Sequence, residues 1–356
     1  MTVPAHVPFD FYCPFTPEES PEKSALAENS IRWTQSFGFG HPPEKLLAYG
    51  GGGALLVTHL FPWARGEAGQ VLSDYSAWAF LINDSVIPPH ADRPLGDVVE
   101  EIARCVQVCW TAGALPDCTT PVVVAAGEVF DRMKRVLTPI QFVRFTRTQT
   151  EWLQTMLWEV AMRERGHHPG VNEYIAMRIG AVGCFATLGY IDGLAMTNLP
   201  EEELSTPKVR AACLAALFTA ALDNDRYSLA KEAGRPKYNI FSALRTDNPN
   251  LTEVQSITEG IALRDRLLHL YTRLRADILP TASPDLQRYL HCVENVVSGN
   301  LYFGTHALRY YAPGGGPEVT VSEHAPPGTG LTTPPYPVIS WWWDQLSGTG
   351  ECGSAR

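Results

Sequence analysis

Apolar residues recur at helical spacing along most of this chain. The 3.6-residue period runs through about 68–86, 95–113, 120–136, 138–165, 170–193, 207–234, 252–278, 284–298 and 300–311. A first helix is expected over about 20–36, ending at Phe37-Gly38-Phe39-Gly40. Proline punctuates these segments at Pro94, Pro116, Pro121, Pro139, Pro169, Pro200, Pro207, Pro249 and Pro280. Proline suits the first turn of a helix, where its missing N–H costs nothing, and it stops a helix that precedes it. Period-2 alternation is scarce, and Val122-Val123-Val124 leads straight into a helical pattern. The pattern predicts an all-α single domain, a bundle of about ten helices. Gly50-Gly51-Gly52-Gly53 interrupts it and lacks the Gly-Lys-Ser/Thr of a phosphate loop, so a turn or a linker that starts a helix is expected there.

The ends differ in character. Residues 1–18 read as an N-terminal arm, extended and aromatic with frequent proline over 8–17. Residues 19–312 hold the helical domain. Residues 313–356 form a Pro/Gly-rich tail, expected to be partly disordered. Within that tail Pro335–Leu346 is aromatic and apolar, which predicts a short docked segment.

Composition narrows the function. With 356 residues and 45% hydrophobic positions, the chain is able to bury a large core. Its net charge of −10, without a basic stripe, argues against a nucleic-acid partner. The 8 cysteines are scattered, without a Cys-x-x-Cys zinc pattern. They read as reduced thiols of a cytoplasmic protein. The N-terminus lacks the pattern of a signal peptide, and no apolar run is expected to reach the length needed to span a bilayer. His167-His168 reads as a solvated turn before Pro169 rather than as a metal pair.

One short run carries chemistry. In Asn224-Asp-Arg-Tyr-Ser228-Leu-Ala-Lys231-Glu232, the residues Asn224, Ser228 and Glu232 recur every fourth position. On a helix they stack on one face. An amide oxygen, a hydroxyl and a carboxylate then converge, hard donors suited to Mg²⁺ or Mn²⁺. Lys231 stands beside them as a candidate anion ligand. Arg178 lies 46 residues earlier, in the apolar stretch Tyr174-Ile-Ala-Met-Arg178-Ile-Gly-Ala-Val-Gly183. A guanidinium there either snorkels or points into a polar cavity, and its planar fork suits phosphate oxygens. Near the end of the helical region, Gly299-Asn300-Leu-Tyr-Phe303 precedes Arg309-Tyr310.

These features together resemble the class I terpene synthases of bacterial type. The 224–232 run matches the family's second metal motif, Asn/Asp-Asp-x-x-Ser/Thr-x-x-x-Glu. Arg178 matches its diphosphate sensor in a Tyr-x-x-x-Arg helix, and Arg309-Tyr310 its terminal Arg-Tyr pair. The resemblance covers roughly residues 8–312. It implies helices around a central active-site cavity, with the N-terminal arm over its mouth. It implies a carbon–oxygen lyase that ionises and cyclises a linear isoprenoid diphosphate, with Mg²⁺ (or Mn²⁺) as cofactor. Farnesyl diphosphate is favoured as the family's common substrate, with geranylgeranyl diphosphate next. The implied catalytic residues are Arg178, Arg309 and Tyr310. Lys231, Phe80 and Phe303 join them in binding substrate, the two rings as cavity wall with Trp78 as a weaker candidate. A helix break after Arg178, over Ala181-Val182-Gly183, is also implied. The partner is the small-molecule diphosphate alone, without nucleic acid or a membrane span; a homodimer is left open.

The chain departs from the family where Phe303 replaces a usual Trp, and more severely at the Asp-rich motif. The aromatic helix before the Asp-rich motif is present as Asp74-Tyr-Ser-Ala-Trp78-Ala-Phe80-Leu-Ile-Asn83-Asp84. Alignment on its aromatic residues puts Asn83 and Asp84 where two aspartates are usual. The later acid falls on Ile87 or Pro88. One carboxylate remains, and Mg²⁺ sheds water reluctantly without anionic ligands. The metal set is therefore expected to be Asn83, Asp84, Asn224, Ser228 and Glu232, with reduced charge. The competing reading is a paralogue that binds a prenyl diphosphate without cyclising it.

Overall fold

The computed structural model describes residues 9–86, 93–111, 120–194, 198–231, 238–307, 310 and 319–346. Among these the chain is helical almost throughout. The helices are α1 Lys23–Ser36, α2 Pro43–Leu60, α3 Gly66–Val86, α4 Leu95–Trp110, α5 Pro121–Val136, α6 Pro139–Glu164 and α7 Val171–Ala181. They continue as α8 Cys184–Leu194, α9 Glu201–Leu204, α10 Pro207–Lys231, α11 Ile240–Asp247, α12 Glu253–Ile278, α13 Pro284–His306 and α14 Pro337–Ser340. Proline opens α2, α5, α6 and α13 in the first turn, as the sequence pattern requires. Thr138, Asn239 and Thr252 close capping boxes at α6, α11 and α12.

The centre is α10. Its residues Ala211–Thr219 are all buried, so an apolar surface faces neighbours on every side. It packs on α12, α13, α8 and α7. A second group, α1–α2–α3, joins it where α2 meets α13.

Two expectations about breaks are corrected here. Gly50–Gly53 lies inside α2 rather than in a turn. A Cβ at Gly50 would sit 2.7 Å from the Ile31 backbone, and one at Gly53 would sit 2.6 Å from the Ser73 carbonyl. The glycines let α1 and α3 approach α2 backbone to backbone, which offsets their low helix propensity. Likewise α13 runs unbroken through Gly299, where any side chain would collide with the His59 carbonyl of α2.

The one sheet among the described residues is small. β1 (Phe9–Tyr12) pairs in parallel with β2 (Val319–Ser322), so the arm and the tail hold each other. Beyond β2, the aromatic segment docks as expected. Ile339, Trp342 and Trp343 are buried, Trp342 lies edge-on to Phe218 of α10, and the Val338 N–H donates to Asn172 of α7.

The membrane expectation is also corrected. Val171–Gly193 has the length and apolarity of a span, but 67% of its most apolar window is buried in the protein. Gly183, at φ +89°, divides the stretch into α7 and α8. The six described cysteines, among them Cys105, Cys109 and Cys184, are buried free thiols. His167 pairs with exposed Glu173 at 2.8 Å, consistent with a solvated turn.

Candidate active site

A cavity of about 230 Å³ opens between α2, α3, α6, α7, α8, α10 and α13. Its wall includes Asn83 and Phe80 from α3, Arg178 from α7, Asn224 and Ser228 from α10, Phe303 from α13, and Tyr310. Seven side chains selected from separate parts of the sequence therefore meet at one hollow. The helix α10 explains how. Its apolar length ends in a polar run, Asp223 to Ser228, that is buried except at the half-buried Asn224. Buried polar groups need partners, and here the partners come from the sensor helix and the C-terminal segment.

Arg178 is the hub. Its Nη2 donates to Asn224 Oδ1 at 2.8 Å and lies 2.8 Å from Asp225 Oδ1. Asp225 in turn accepts from the Tyr174 hydroxyl at 2.6 Å and from the Ile240 N–H at 2.9 Å. Burial pushes the Asp225 carboxyl above its usual range, and the Arg178 charge opposes that rise. Asn224 Nδ2 donates to the Tyr310 hydroxyl at 2.7 Å. The sensor arginine, the metal-motif amide and the terminal tyrosine thus form one hydrogen-bonded chain.

Aromatic rings form the adjoining wall. Phe80 stacks on Phe303 at 5.8 Å and 13°, and Tyr310 stands edge-on to Phe303 at 5.8 Å. Trp78 does not reach the cavity. It is fully buried in the core, with its Nε1–H donating to the Val122 carbonyl and its ring against Phe130 and Trp152. The weaker candidate is thereby replaced, since Trp152 lines the hollow instead.

Asp84 stands beside Asn83, whose Nδ2 donates to Asp84 Oδ1 at 3.4 Å. The Tyr49 hydroxyl donates to its Oδ2 at 3.4 Å, and Asp84 is not among the cavity-lining residues. The Lys231 side chain, Glu232 and Arg309, with Ile87 and Pro88, lie outside the described residues. Among the described residues, the oxygen donors at the cavity from the two metal motifs are Asn83, Asn224 and Ser228. All are hard and neutral, which fits a divalent hard cation in kind and leaves little anionic charge to hold it.

Three further groups were not legible as site residues. Asp225 is one; the Tyr-x-x-x-Arg spacing held the signal, because Tyr174 and Arg178 stand one turn apart and reach the same carboxylate. Glu159 and Arg163 of α6 also line the cavity, bonded at 2.6 Å. The Arg163 guanidinium lies over the Tyr238 ring at 4.2 Å. An acid and a base four apart on a helix read as a surface pair, and only the packing brings them inside.

Comparison with known proteins agrees with this geometry. The family model for terpene synthase family 2, C-terminal metal binding, matches residues 74–269. Diterpene cyclase DtcycB from a Streptomyces species is 34% identical over 342 residues, 94% of this chain and 96% of the relative. Phomopsene synthase from Allokutzneria albata is 29% identical over 340 residues, 93% of this chain and 95% of the relative. The crystal structure of the SVS_A2 protein from ancestral sequence reconstruction superposes with a TM-score of 0.78 at 26% identity, covering 94% of this chain and 98% of that one. The chain belongs to the bacterial class I terpene synthase family, whose relatives here are diterpene and sesquiterpene cyclases.

Proposed function

We propose that this protein ionises geranylgeranyl diphosphate and cyclises it to a diterpene, releasing inorganic diphosphate. The observation that carries the reading is the division of one cavity. Arg178, Asn224, Ser228, Tyr310 and Asn83 gather on part of its wall, and Leu56, Leu60, Leu217 and Val296 line another. A charged head and a hydrocarbon chain each have a matching surface.

Farnesyl diphosphate is the common substrate of the family, but two observations favour the longer chain. The wall carries small residues at Ala79, Gly183, Ala186, Ala220 and Ala221, which take up less of the hollow than larger side chains would. The relative at 34% identity is named a diterpene cyclase.

Asn83, Asn224 and Ser228, with Asp84 and Glu232 on motif grounds, would hold Mg²⁺ or Mn²⁺. A bound divalent ion supplies positive charge to the oxygens of the departing diphosphate. Arg178 presents its fork to the same anion, held in direction by Asp225. Tyr310 donates to the same anion, and on motif grounds Lys231 and Arg309 would add positive charge. Phe80 and Phe303 offer π faces to the allylic cation without reacting with it. The apolar wall excludes water, which would otherwise quench the cation to an alcohol.

The experiment incubates the purified chain and Mg²⁺ separately with the C10, C15 and C20 diphosphates. Diphosphate release and gas chromatography of the products are read together. A cyclic C20 hydrocarbon or alcohol supports the reading; a cyclic C15 product moves it to farnesyl diphosphate. The neutral Asn83 favours a second reading, a paralogue that binds without cyclising. Tight substrate binding with no product or only linear product would establish it.

A further inference from the structure

The hydrocarbon part of the cavity is not uniformly apolar. Polar side chains on its wall are mostly committed elsewhere. Ser76 donates to the Leu72 carbonyl at 2.8 Å, and Trp152 Nε1–H to the Ala181 carbonyl at 3.1 Å. The Tyr75 hydroxyl is taken by Gln149, and Asn300 Nδ2 donates to the Ala220 carbonyl at 3.1 Å.

Thr187 and Tyr190 of α8 differ. Both line the cavity, and their hydroxyl oxygens lie 3.2 Å apart. Thr187 Oγ1 is 2.9 Å from the Gly183 carbonyl, which can only accept, so the threonine proton goes there. Tyr190 must then donate to Thr187. Both hydrogens are used, and the phenol oxygen keeps lone pairs without a proton to offer. In a dry pocket this is a fixed negative dipole end.

The phenol ring has aromatic neighbours. The Tyr190 ring stands edge-on to Phe61 at 5.2 Å and to Tyr75 at 5.9 Å. Tyr75 precedes Asn83 by eight residues on α3, roughly 12 Å along a helix axis. The phenol ring thus sits against a part of α3 about two turns before Asn83. Burial pushes the Tyr190 phenol up to about 12, so it stays neutral and is not a base at working pH.

Resting on the cyclase reading above, we propose that Thr187 and Tyr190 are specificity-determining residues: their hydroxyl pair fixes where positive charge settles late in the cascade, and so which ring pattern forms. A cation near the phenol oxygen is lowered in energy relative to the same charge one bond away. That preference selects among competing ring closures. In the final step the C–H electron pair next to the settled cation becomes the new double bond. The proton passes to the diphosphate released at ionisation, so the hydroxyl pair itself is unchanged.

The test compares the wild-type chain with Tyr190→Phe, Thr187→Val and Thr187→Ser, all with the preferred diphosphate and Mg²⁺. Diphosphate release, product distribution and thermal midpoint are measured for each. Tyr190→Phe keeps the ring and removes the oxygen. The expected result is diphosphate release within about threefold of wild type and loss of more than half of the main product to other skeletons. Thr187→Val is expected to shift the distribution the same way, and Thr187→Ser to restore it. Unchanged distributions in both Tyr190→Phe and Thr187→Val overturn the inference. So does a collapse of thermal midpoint and diphosphate release together in both, which would mark the pair as structural. A wild-type chain that releases no diphosphate overturns the cyclase reading itself, and this inference with it.

Discussion

Arg178 Nη2 and Asn224 Oδ1 are joined at 2.8 Å, so the sensor arginine holds the very oxygen that the metal motif offers. A divalent ion held by Asn224 would compete for that acceptor and free the guanidinium for the oxygens of a diphosphate. On the proposed reading, metal binding and the orientation of Arg178 would be linked. Arg178→Lys keeps the charge and loses the fork, and it also weakens the hold of Asp225. The expected outcome is a fall in turnover of roughly 10²–10³-fold, the cost of removing one preorganised donor to developing charge. Product formation under saturating substrate, with circular dichroism as the control for folding, checks it.

The neutral Asn83 makes a second expectation. An aspartate there restores an anionic ligand on the cavity wall, and Mg²⁺ binding depends on such charge. Asn83→Asp is expected to lower the Mg²⁺ concentration for half-maximal activity about tenfold, equivalent to about 1.4 kcal/mol. A Mg²⁺ titration of diphosphate release measures it. An unchanged midpoint would mean that Asn83 does not face the ion.

How much of this was legible in the sequence depends on which physical signal each feature carried. Asn224 and Ser228 stood out because hard oxygen donors recur at helical spacing, and Arg178 because a charge in an apolar stretch is costly. The helices of the core followed from period alone. The glycines of α2 did not, because local propensity argues for a break and only backbone contact with α1 and α3 argues against one. The pairing of β1 with β2 was invisible too. Each strand is four residues long, and the partners lie about as far apart as the chain allows. Asp225 was hidden inside its own motif, since a carboxylate beside a metal ligand reads as another ligand until Arg178 and Tyr174 are seen around it.

Arg264 was hidden by its charge, which normally signals a surface. It is fully buried, with Nε 2.7 Å from Asp223 Oδ1, Nη1 2.9 Å from Asp265 Oδ1, and a further bond to the Tyr12 carbonyl. Its guanidinium lies 5.0 Å from the Phe11 ring centroid. The N-terminal arm is thus tied to α10 one residue before Asn224. Arg264→Ala strands two buried carboxylates, Asp223 and Asp265, whose pKa values burial already raises. The expected loss is about 3–5 kcal/mol, read from the denaturant midpoint. Chymotrypsin cleavage within the arm, at Phe11 or Tyr12, should accelerate in parallel, because β1 loses its anchor.

Glycine substitutions within α2 separate propensity from packing on a single helix. At Gly51 a Cβ meets only the Ile31 Cδ1 atom, at 4.0 Å. At Gly53 it meets the Ser73 carbonyl at 2.6 Å and the Ala77 N at 2.7 Å, both backbone atoms of α3 that cannot step aside. Helix propensity favours alanine over glycine equally at both sites, by about 1 kcal/mol. Gly51→Ala should therefore stabilise the chain by roughly 0.5–1 kcal/mol. Gly53→Ala should destabilise it by about 1–3 kcal/mol, as overpacking forces α2 and α3 apart. Thermal midpoints of the two variants, measured side by side, are expected to move in opposite directions. Because α3 carries Phe80 and Asn83, Gly53→Ala should also raise the Mg²⁺ requirement, whereas Gly51→Ala should leave it unchanged. Stabilisation by both substitutions would show that α2 and α3 do not approach this closely.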